Sequence, residues 1–174
     1  MDEEVILVDE NDYRIGLMPK LEAHQKGVLH RAFSVFIFND RGELLLQQRA
    51  ADKYHSGGLW TNTCCSHPRN NEDIHSAALR RLREEMGLSC EIRFIFSFIY
   101  HADLDQGLIE HEFDHVFIGV TNQIPVINQS EVQQWKYQNL QSLTSDVELH
   151  PMYYTAWMKK CLGRVVTEFE KIKK

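Results

Sequence analysis

Apolar residues along the chain recur mainly with the two-residue period of β-strands, in short runs separated by turn-forming residues. Residues 39–42 (Asn-Asp-Arg-Gly) have the composition of a tight turn between two such runs, which predicts a hairpin. In the run 91–101, every second residue from Ile92 to Tyr100 is apolar or aromatic, so these side chains are expected to share one face. Strands are predicted over residues 5–8, 14–18, 32–38, 43–49, 91–101, 109–120 and 130–137.

Helical spacing is found in the middle of the chain and at its C-terminal end. The central helix is predicted to open at residues 70–73, with an asparagine cap, and to end at Gly87. A short helix is predicted over residues 143–149, and a last helix from His150-Pro151, because proline suits a first helical position. The buried stripe of this last helix would be Met158, Leu162, Val165, Phe169 and Ile172. This order predicts an α+β fold with α/β/α layers around a mixed sheet.

Length, charge and cysteine content narrow the class of protein. The 174 residues suit a single domain, residues 1–174, that can build a core without disulfides. A formal net charge of −6 argues against broad nucleic-acid binding. The opening Met-Asp-Glu-Glu predicts no secretory signal, and no apolar run is long enough to cross a membrane. The four cysteines do not have the spacing of a secreted disulfide framework, so a reduced, cytoplasmic location is predicted.

The stretch 61–68 (Thr-Asn-Thr-Cys-Cys-Ser-His-Pro) carries the densest candidate chemistry. If this segment is extended, Cys65 and His67 point to one side and Cys64 points to the other. A reactive thiol would then lie beside a histidine that could bind a metal or transfer a proton.

Four other polar residues have two interpretations each. His24 and His30 are six residues apart and fit no single helical face, so each is either a surface histidine or a metal ligand. Glu110 and Glu112 share one face of a predicted strand, where two carboxylates repel unless a cation lies between them. The pair therefore indicates a metal site or an acid–base pair, or else an exposed strand end.

Charged residues in and before the predicted central helix, and one tryptophan in the last helix, also have two interpretations each. Glu85 lies at the edge of the apolar arc with Arg81 one turn before it, which fits a simple ion pair or a carboxylate that binds a cation. Arg49 and Lys53 are either solvated surface charges or part of a cluster that holds a small anion. Trp157 lies off the stripe of the last helix, as peripheral core or facing a cavity.

Residues 66–88 resemble the Nudix box, a loop–helix element that holds divalent cations against a diphosphate. The matching residues are Glu72 and the run 80–88 (Arg-Arg-Leu-Arg-Glu-Glu-Met-Gly-Leu). Two positions depart from the pattern, because Ser66 replaces the first glycine and Arg81 replaces the first glutamate. The resemblance implies a Nudix fold, while the missing acid puts metal-dependent hydrolysis in doubt.

From about Val5 to the last helix, the chain resembles the type 1 isopentenyl-diphosphate delta-isomerase family of the Nudix superfamily. The motifs that carry this resemblance are Ala23-His24, residues 29–34, Trp60 to Pro68, Arg81 to Gly87 and Glu110-His111-Glu112. The resemblance implies isomerisation of isopentenyl diphosphate to dimethylallyl diphosphate, in isoprenoid precursor biosynthesis. Its substrate is a small-molecule prenyl diphosphate, and neither nucleic acid nor a membrane is implied as a partner.

The same resemblance assigns roles to particular residues. Cys65 and Glu112 would be the catalytic pair, with Glu112 delivering the first proton and Cys65 managing the second, although the order stays open. Tyr100 and Trp157 would line the hydrocarbon end of the substrate. One divalent metal, Zn²⁺ or Mn²⁺ or Mg²⁺, would be bound by His24, His30, His67, Glu110 and Glu112. Glu85 would help to bind a second ion, Mg²⁺, through the diphosphate, which would be clamped by Lys20, Arg49, Lys53 and Arg81, with Ser66 nearby.

Two alternatives belong to other classes. A Nudix hydrolase of a nucleoside diphosphate derivative would release phosphate and would not need Cys65. A non-enzymatic protein with a structural His/Cys zinc site would unfold when its metal is removed. The second alternative leaves the Glu110 and Glu112 pair unexplained.

Overall fold

The computed structural model describes residues 3–172, in which nine strands form one mixed sheet centred on a long apolar strand. The first two and last two residues of the predicted domain, 1–2 and 173–174, lie outside the described residues. The strands are β1 (Glu4–Val8), β2 (Arg14–Pro19), β3 (His30–Phe38), β4 (Leu44–Arg49), β5 (Trp60–Thr61), β6 (Cys64–Ser66), β7 (Ile92–Asp103), β8 (Ile109–Val120) and β9 (Val132–Gln138). The helices are α1 (Lys20–Lys26), α2 (Ile74–Met86), α3 (Leu140–Leu149) and α4 (Ala156–Ile172).

The central strand is β3, which has neighbours along both edges. It pairs in parallel with β8 over its whole length, so that His30 lies opposite Glu112. On its other edge it pairs antiparallel with β6, which places Cys65 opposite Ser34. The register therefore brings the predicted thiol and histidine motif and the predicted pair of acids to the same end of the sheet.

Helices cover both faces of this sheet, as the predicted α/β/α layers require. Phe33, Val35 and Ile37 of β3 pack towards α2, while Phe36 and Phe38 pack towards α4. The strand is buried on both faces, which explains why it reads as a continuous apolar run and not as an alternating one. Among the described residues, none of the helices combines the length and apolarity needed to span a bilayer.

The prediction that alternate side chains from Ile92 to Tyr100 share one face of β7 is wrong, because the strand contains a bulge. The pairing with β8 shifts between Phe94 and Phe96, which leaves Ile95 as the extra residue. Residues before the bulge therefore face the opposite side from those after it. Ile92 packs in the α2 layer, whereas Phe96 and Tyr100 pack in the α4 layer, and Phe94 is 53% exposed.

Helix ends differ from the predictions in α2, α3 and α4. The helix α3 begins at Leu140, after the cap Asn139, and not at residue 143. The cap of α2 is Asp73, whose side chain accepts a hydrogen bond from the Ser76 N–H at 2.9 Å, and not an asparagine. Gly87 ends α2 in the left-handed conformation, as predicted. Pro151 opens a separate 3-10 turn, so that the last helix starts only at Ala156. At the other end of α4, Ile172 is exposed, so it does not belong to the buried stripe.

Candidate active site

One cavity lies where the ends of β6 and β8, the helix α2 and the loop of residues 50–59 meet. It brings together residues that are far apart in the chain, including the thiol, the acids and a group of cations. The cavity is lined by Lys20, Arg49, Lys53, Tyr54, His55, Cys65, Ser66, His67, Arg81, Glu85, Glu110, Glu112, Glu131 and Trp157.

Four buried side chains in and directly behind the wall of this cavity have the arrangement of a metal site. One ligand atom from each of His24, His30, His67 and Glu112 lies within 4.8 Å of the others. Glu112 Oε1 is 2.9 Å from His67 Nε2 and 3.6 Å from His30 Nε2. Two donors that are each roughly 2.1 Å from one ion are about 3 to 4 Å from each other, so these spacings suit a shared cation.

The hydrogen bonds of two histidines leave a nitrogen free for such a cation. His24 Nδ1 lies 2.7 Å from the Lys20 carbonyl oxygen, and His30 Nδ1 lies 2.8 Å from the Val28 carbonyl oxygen. Because a carbonyl oxygen only accepts, each Nδ1 carries the proton and each Nε2 presents a lone pair. Both Nε2 atoms are buried without a hydrogen-bond partner among the described residues. The residues therefore fit a divalent cation.

Burial keeps two of these imidazoles uncharged, as metal ligands must be. Desolvation lowers the pKa of His24 and lowers the pKa of His67 to about 3. The interpretation of His24 and His30 as surface histidines is therefore wrong, since both side chains are fully buried.

Two carboxylates and one phenol form a buried chain beside the imidazoles. Tyr100 Oη lies 2.6 Å from Glu110 Oε2 and 2.6 Å from Glu112 Oε2. A phenol has one proton to donate, so the second contact requires a proton on one of the carboxyl groups. Burial and the nearby charge of Glu112 raise the pKa of Glu110 well above its ordinary value. For Glu112, the neighbouring His30 and His67 outweigh burial and lower the pKa.

Glu110 is therefore the protonated partner, and Tyr100 donates to an ionised Glu112. Both acids are buried, which rules out the exposed strand end. Tyr100 lies behind the two acids and does not line the cavity.

Cys65 and Cys64 point to opposite faces of β6, as an extended segment requires. Cys65 lines the cavity, whereas Cys64 lies in the core beneath α2. Burial is the largest influence on Cys65 and raises the pKa of its thiol, so this group is protonated at neutral pH.

The lining of the cavity includes four cations, which suit a bound anion. Lys20, Arg49, Lys53 and Arg81 all line it. Arg49 Nε and Arg81 Nε are buried without a hydrogen-bond partner among the described residues, although a buried N–H is costly unless it is paired. A bound diphosphate would supply the missing acceptors.

Acidic residues hold two of these cations in place. Arg81 donates to Glu85 Oε1 at 2.6 Å, so the helix ion pair considered from the sequence is present. Arg81 also lies 3.3 Å from Glu131, which accepts a hydrogen bond from Lys53. Burial lowers the pKa of Arg81, but the two glutamates outweigh it and keep the group charged.

A network of hydrogen bonds holds Trp157 in the wall of the cavity. Its indole Nε1 donates to Asn62 Oδ1 at 3.1 Å, and the same oxygen accepts from Thr61 Oγ1 at 2.9 Å. The Arg49 guanidinium lies 5.3 Å from the centre of the indole ring. Trp157 is only 2% exposed and faces the cavity, which decides between the two interpretations left open by the sequence.

The candidate residues from the sequence converge on this one region. Eleven of them line the cavity, while His24, His30 and Tyr100 lie directly behind its wall. Sequence reasoning missed three further lining residues: Tyr54, His55 and Glu131. Each is a single polar residue in or beside a loop, so no spacing or periodicity marks it.

Replacement of Cys64 by alanine should have only a mild effect on turnover. The side chain is fully buried and does not line the cavity, so the main loss is packing, about 1 to 2 kcal/mol of the free energy of unfolding. Turnover and the melting temperature should be measured together. Loss of turnover with an unchanged melting temperature would contradict the orientation of Cys64.

Comparisons with known proteins give a family and close relatives. The NUDIX domain family matches residues 28–158 of this chain. An isopentenyl-diphosphate Delta-isomerase 2 from Aromatoleum aromaticum is 54% identical over 167 residues, which cover 96% of this chain and 88% of the relative. An isopentenyl-diphosphate Delta-isomerase from Pectobacterium atrosepticum is 54% identical over 162 residues, which cover 93% of this chain and 90% of the relative.

Solved structures with similar folds have much more distant sequences. The crystal structure of DR0079 from Deinococcus radiodurans aligns with a TM-score of 0.78 at 16% identity, covering 93% of this chain and 98% of that protein. A MutT protein from Methanosarcina mazei aligns with a TM-score of 0.66 at 16% identity, covering 84% of this chain and 96% of that protein. At this identity the similarity supports the layered fold alone, which agrees with the fold class predicted from the sequence.

Proposed function

This chain belongs to the isopentenyl-diphosphate Delta-isomerases of the NUDIX domain family, and we propose how the residues of its cavity carry out that reaction. The protein isomerises isopentenyl diphosphate to dimethylallyl diphosphate, a step of isoprenoid precursor biosynthesis. The observation that carries the proposed mechanism is the composition of one cavity, whose lining includes a protonated thiol, an ionised carboxylate and four cations.

The reaction needs one proton donor and one proton acceptor. A proton must be added to the terminal carbon of the alkene, which creates a tertiary carbocation, and another must leave the carbon two positions away. The diphosphate is bound but not broken. A neutral thiol and a carboxylate suit these two roles when they lie on either side of the reacting carbons.

The protonation states favour Cys65 as the donor and Glu112 as the acceptor, the reverse of the order that the family resemblance implies. Burial keeps the Cys65 thiol protonated, so it enters the reaction with a proton to give. Glu112 is ionised and accepts a hydrogen bond from Tyr100, so it can take the second proton. Each turnover leaves a thiolate and a carboxylic acid, and exchange of protons with solvent restores both groups.

The buried ligand group supports a bound divalent cation. The ligand atoms of His24, His30, His67 and Glu112 lie together and would hold it, with Glu110, once it has lost its proton, as the fifth ligand that the family resemblance implies. Three imidazoles with two carboxylates favour Zn²⁺ or Mn²⁺ over Mg²⁺. When bound, such a cation would keep the Glu112 carboxylate ionised and orient it. Mg²⁺ would accompany the diphosphate, with Glu85, which lines the cavity beside Arg81, as its protein ligand.

The four cations would bind the diphosphate and so orient the hydrocarbon end. Lys20, Arg49, Lys53 and Arg81 would clamp its oxygens, and Ser66 lines the same wall. This binding energy can position the alkene between Cys65 and Glu112. We propose a small-molecule prenyl diphosphate as the ligand. A cytoplasmic location and one isomerase domain over residues 1–174 stay predictions.

Replacement of Trp157 by leucine should lower kcat about 10- to 30-fold. An indole face stabilises a desolvated cation by roughly 2 kcal/mol, and leucine cannot supply this attraction. Trp157→Phe should keep part of the activity, since it retains an aromatic face but loses the hydrogen bond to Asn62. Steady-state kinetics of both variants checks this, and equal activity of the leucine and phenylalanine variants would remove the cation-stabilising role.

The proposed function is tested by proton NMR of the protein with isopentenyl diphosphate and Mg²⁺ in deuterated buffer. We expect the dimethylallyl isomer, carrying deuterium from the solvent. Release of inorganic phosphate without isomer would instead support a Nudix hydrolase. Absence of any reaction, together with unfolding on removal of metal, would support a structural metal site.

A further inference from the structure

His55 lines the cavity but takes no part in the proposed reaction. Its side chain is buried, and its Nε2 lies 3.7 Å from Glu110 Oε1, which is too long for a hydrogen bond. Nε2 forms no hydrogen bond with any described residue, whereas Nδ1 lies 3.2 Å from Ser56 Oγ. When Nδ1 donates to that hydroxyl, Nε2 presents a lone pair on the side of Glu110.

The loop that carries His55 is tightly constrained. Ser56 adopts a φ of 52°, which is unfavourable for a residue with a side chain, and its N–H donates to Asp105 Oδ1 at 3.1 Å. The Arg49 guanidinium donates to the His55 carbonyl oxygen at 3.1 Å. A Cβ added at Gly57 would lie only 2.5 Å from the Ala51 carbonyl oxygen. These contacts fix the backbone from which the His55 side chain enters the cavity lining.

His55 completes a second group of possible metal ligands. One ligand atom from each of His24, His55 and Glu110 lies within 4.8 Å of the others, and all three side chains are buried. The rings of His24 and His55 are stacked, with their centres 5.6 Å apart. His24 also belongs to the group with His30, His67 and Glu112. Its Nε2 has one lone pair, so a cation bound through it engages one group at a time.

We propose that His55 is a further ligand for the divalent cation of this cavity, and that His24, His55 and Glu110 form an alternative ligand set for it. This inference rests on the metal site of the proposed function. Two imidazoles and a carboxylate select a borderline metal such as Zn²⁺, Mn²⁺ or Co²⁺. The cation can therefore occupy two neighbouring positions, with His24 as the ligand common to both.

Co²⁺ binding to the full chain tests the proposal without measuring turnover. We expect His55→Gln to weaken Co²⁺ binding at least about tenfold in a competition titration with a chelator, since even second-layer partners of metal ligands contribute roughly 10- to 100-fold. His150→Gln is the matched control, because His150 is an exposed histidine and should leave the affinity unchanged. His67→Gln should retain some Co²⁺ binding through the alternative set, and the His55→Gln and His67→Gln double variant should lose it.

Proton NMR of the Co²⁺-loaded protein identifies the ligands directly. Each ligand histidine gives an imidazole N–H signal that is strongly shifted by the cobalt and exchanges in deuterated buffer. We expect a signal from His55 beside those of His24, His30 and His67, and its loss in His55→Gln. Only three such signals in the unsubstituted protein would overturn the proposal, even if His55→Gln does not fold. Weaker binding without loss of a signal would also overturn it, because His55 would then act by packing. No Co²⁺ binding by the unsubstituted protein would remove the proposed metal site itself.

Discussion

Replacement of Cys65 by alanine should abolish turnover while leaving the fold intact. The variant loses the proposed donor for the alkene, and acid–base groups typically contribute about 10²- to 10⁴-fold to a rate, so we expect a loss of at least about 10³-fold. Cys65 is a small side chain on a short strand, and its removal leaves the clusters on both faces of β3 intact. Turnover measured by NMR should fall to background while the melting temperature changes little.

Two further variants make this experiment specific. Cys90→Ala is the matched control, because Cys90 is a half-buried cysteine that does not line the cavity, and this variant should turn over normally. Cys65→Ser keeps the size of the side chain but carries a hydroxyl, which gives up its proton less readily, and it should recover little activity. Full activity of Cys65→Ala would exclude the role of this residue as a proton donor.

The second large loss of turnover is expected when Glu112 is replaced by glutamine (Glu112→Gln). The amide is close in shape to the carboxylate and can still accept a hydrogen bond from Tyr100, but it cannot take up a proton at neutral pH. It also replaces a charged ligand within 3 to 4 Å of His30 and His67 by a neutral one. Turnover should therefore fall at least about 10³-fold, and metal affinity should fall with it.

Measurement of bound metal separates the two roles of Glu112. A variant that retains its cation and does not turn over would support Glu112 as the proton acceptor. A variant that loses both would support its role as a ligand, and supplying excess Mn²⁺ would then show whether activity returns. Glu91→Gln, at an exposed position before β7, is the matched control and should behave as the unsubstituted chain. A fully active Glu112→Gln would contradict both roles.

In the proposed function, Arg81 would let a Nudix framework hold a diphosphate without cleaving it. Where the family motif has an acid that contributes to hydrolysis, this chain has a cation whose Nε is buried without a partner among the described residues. Arg81 contacts Glu85 and Glu131, and this pairing keeps the guanidinium charged at the cavity. A positive charge at this position favours phosphate binding over the binding of a hydrolytic cation.

Local patterns in the sequence were sufficient to predict the main strands and the helix end that surround the site. The continuous apolar run of β3, the ending of α2 at Gly87 and the extended segment through Cys65 depend on backbone preferences and side-chain periodicity, which are local properties. The motif around Cys65 and the Glu110 and Glu112 pair indicated candidate chemistry, although an exposed strand end was an equally open interpretation of the two carboxylates. The family resemblance then supplied the remaining candidate residues.

Only the tertiary structure decided which side chains are buried and which of them meet. His24 and His30 fit no single helical face, yet both are fully buried because α1 and the start of β3 pack against β8. The bulge at Ile95 follows from pairing between β7 and β8, which no property of either strand alone reveals. His55 and Glu131 reach the cavity through loops whose paths depend on contacts with distant residues. Periodicity records the burial of one element at a time, whereas a site depends on the packing of several.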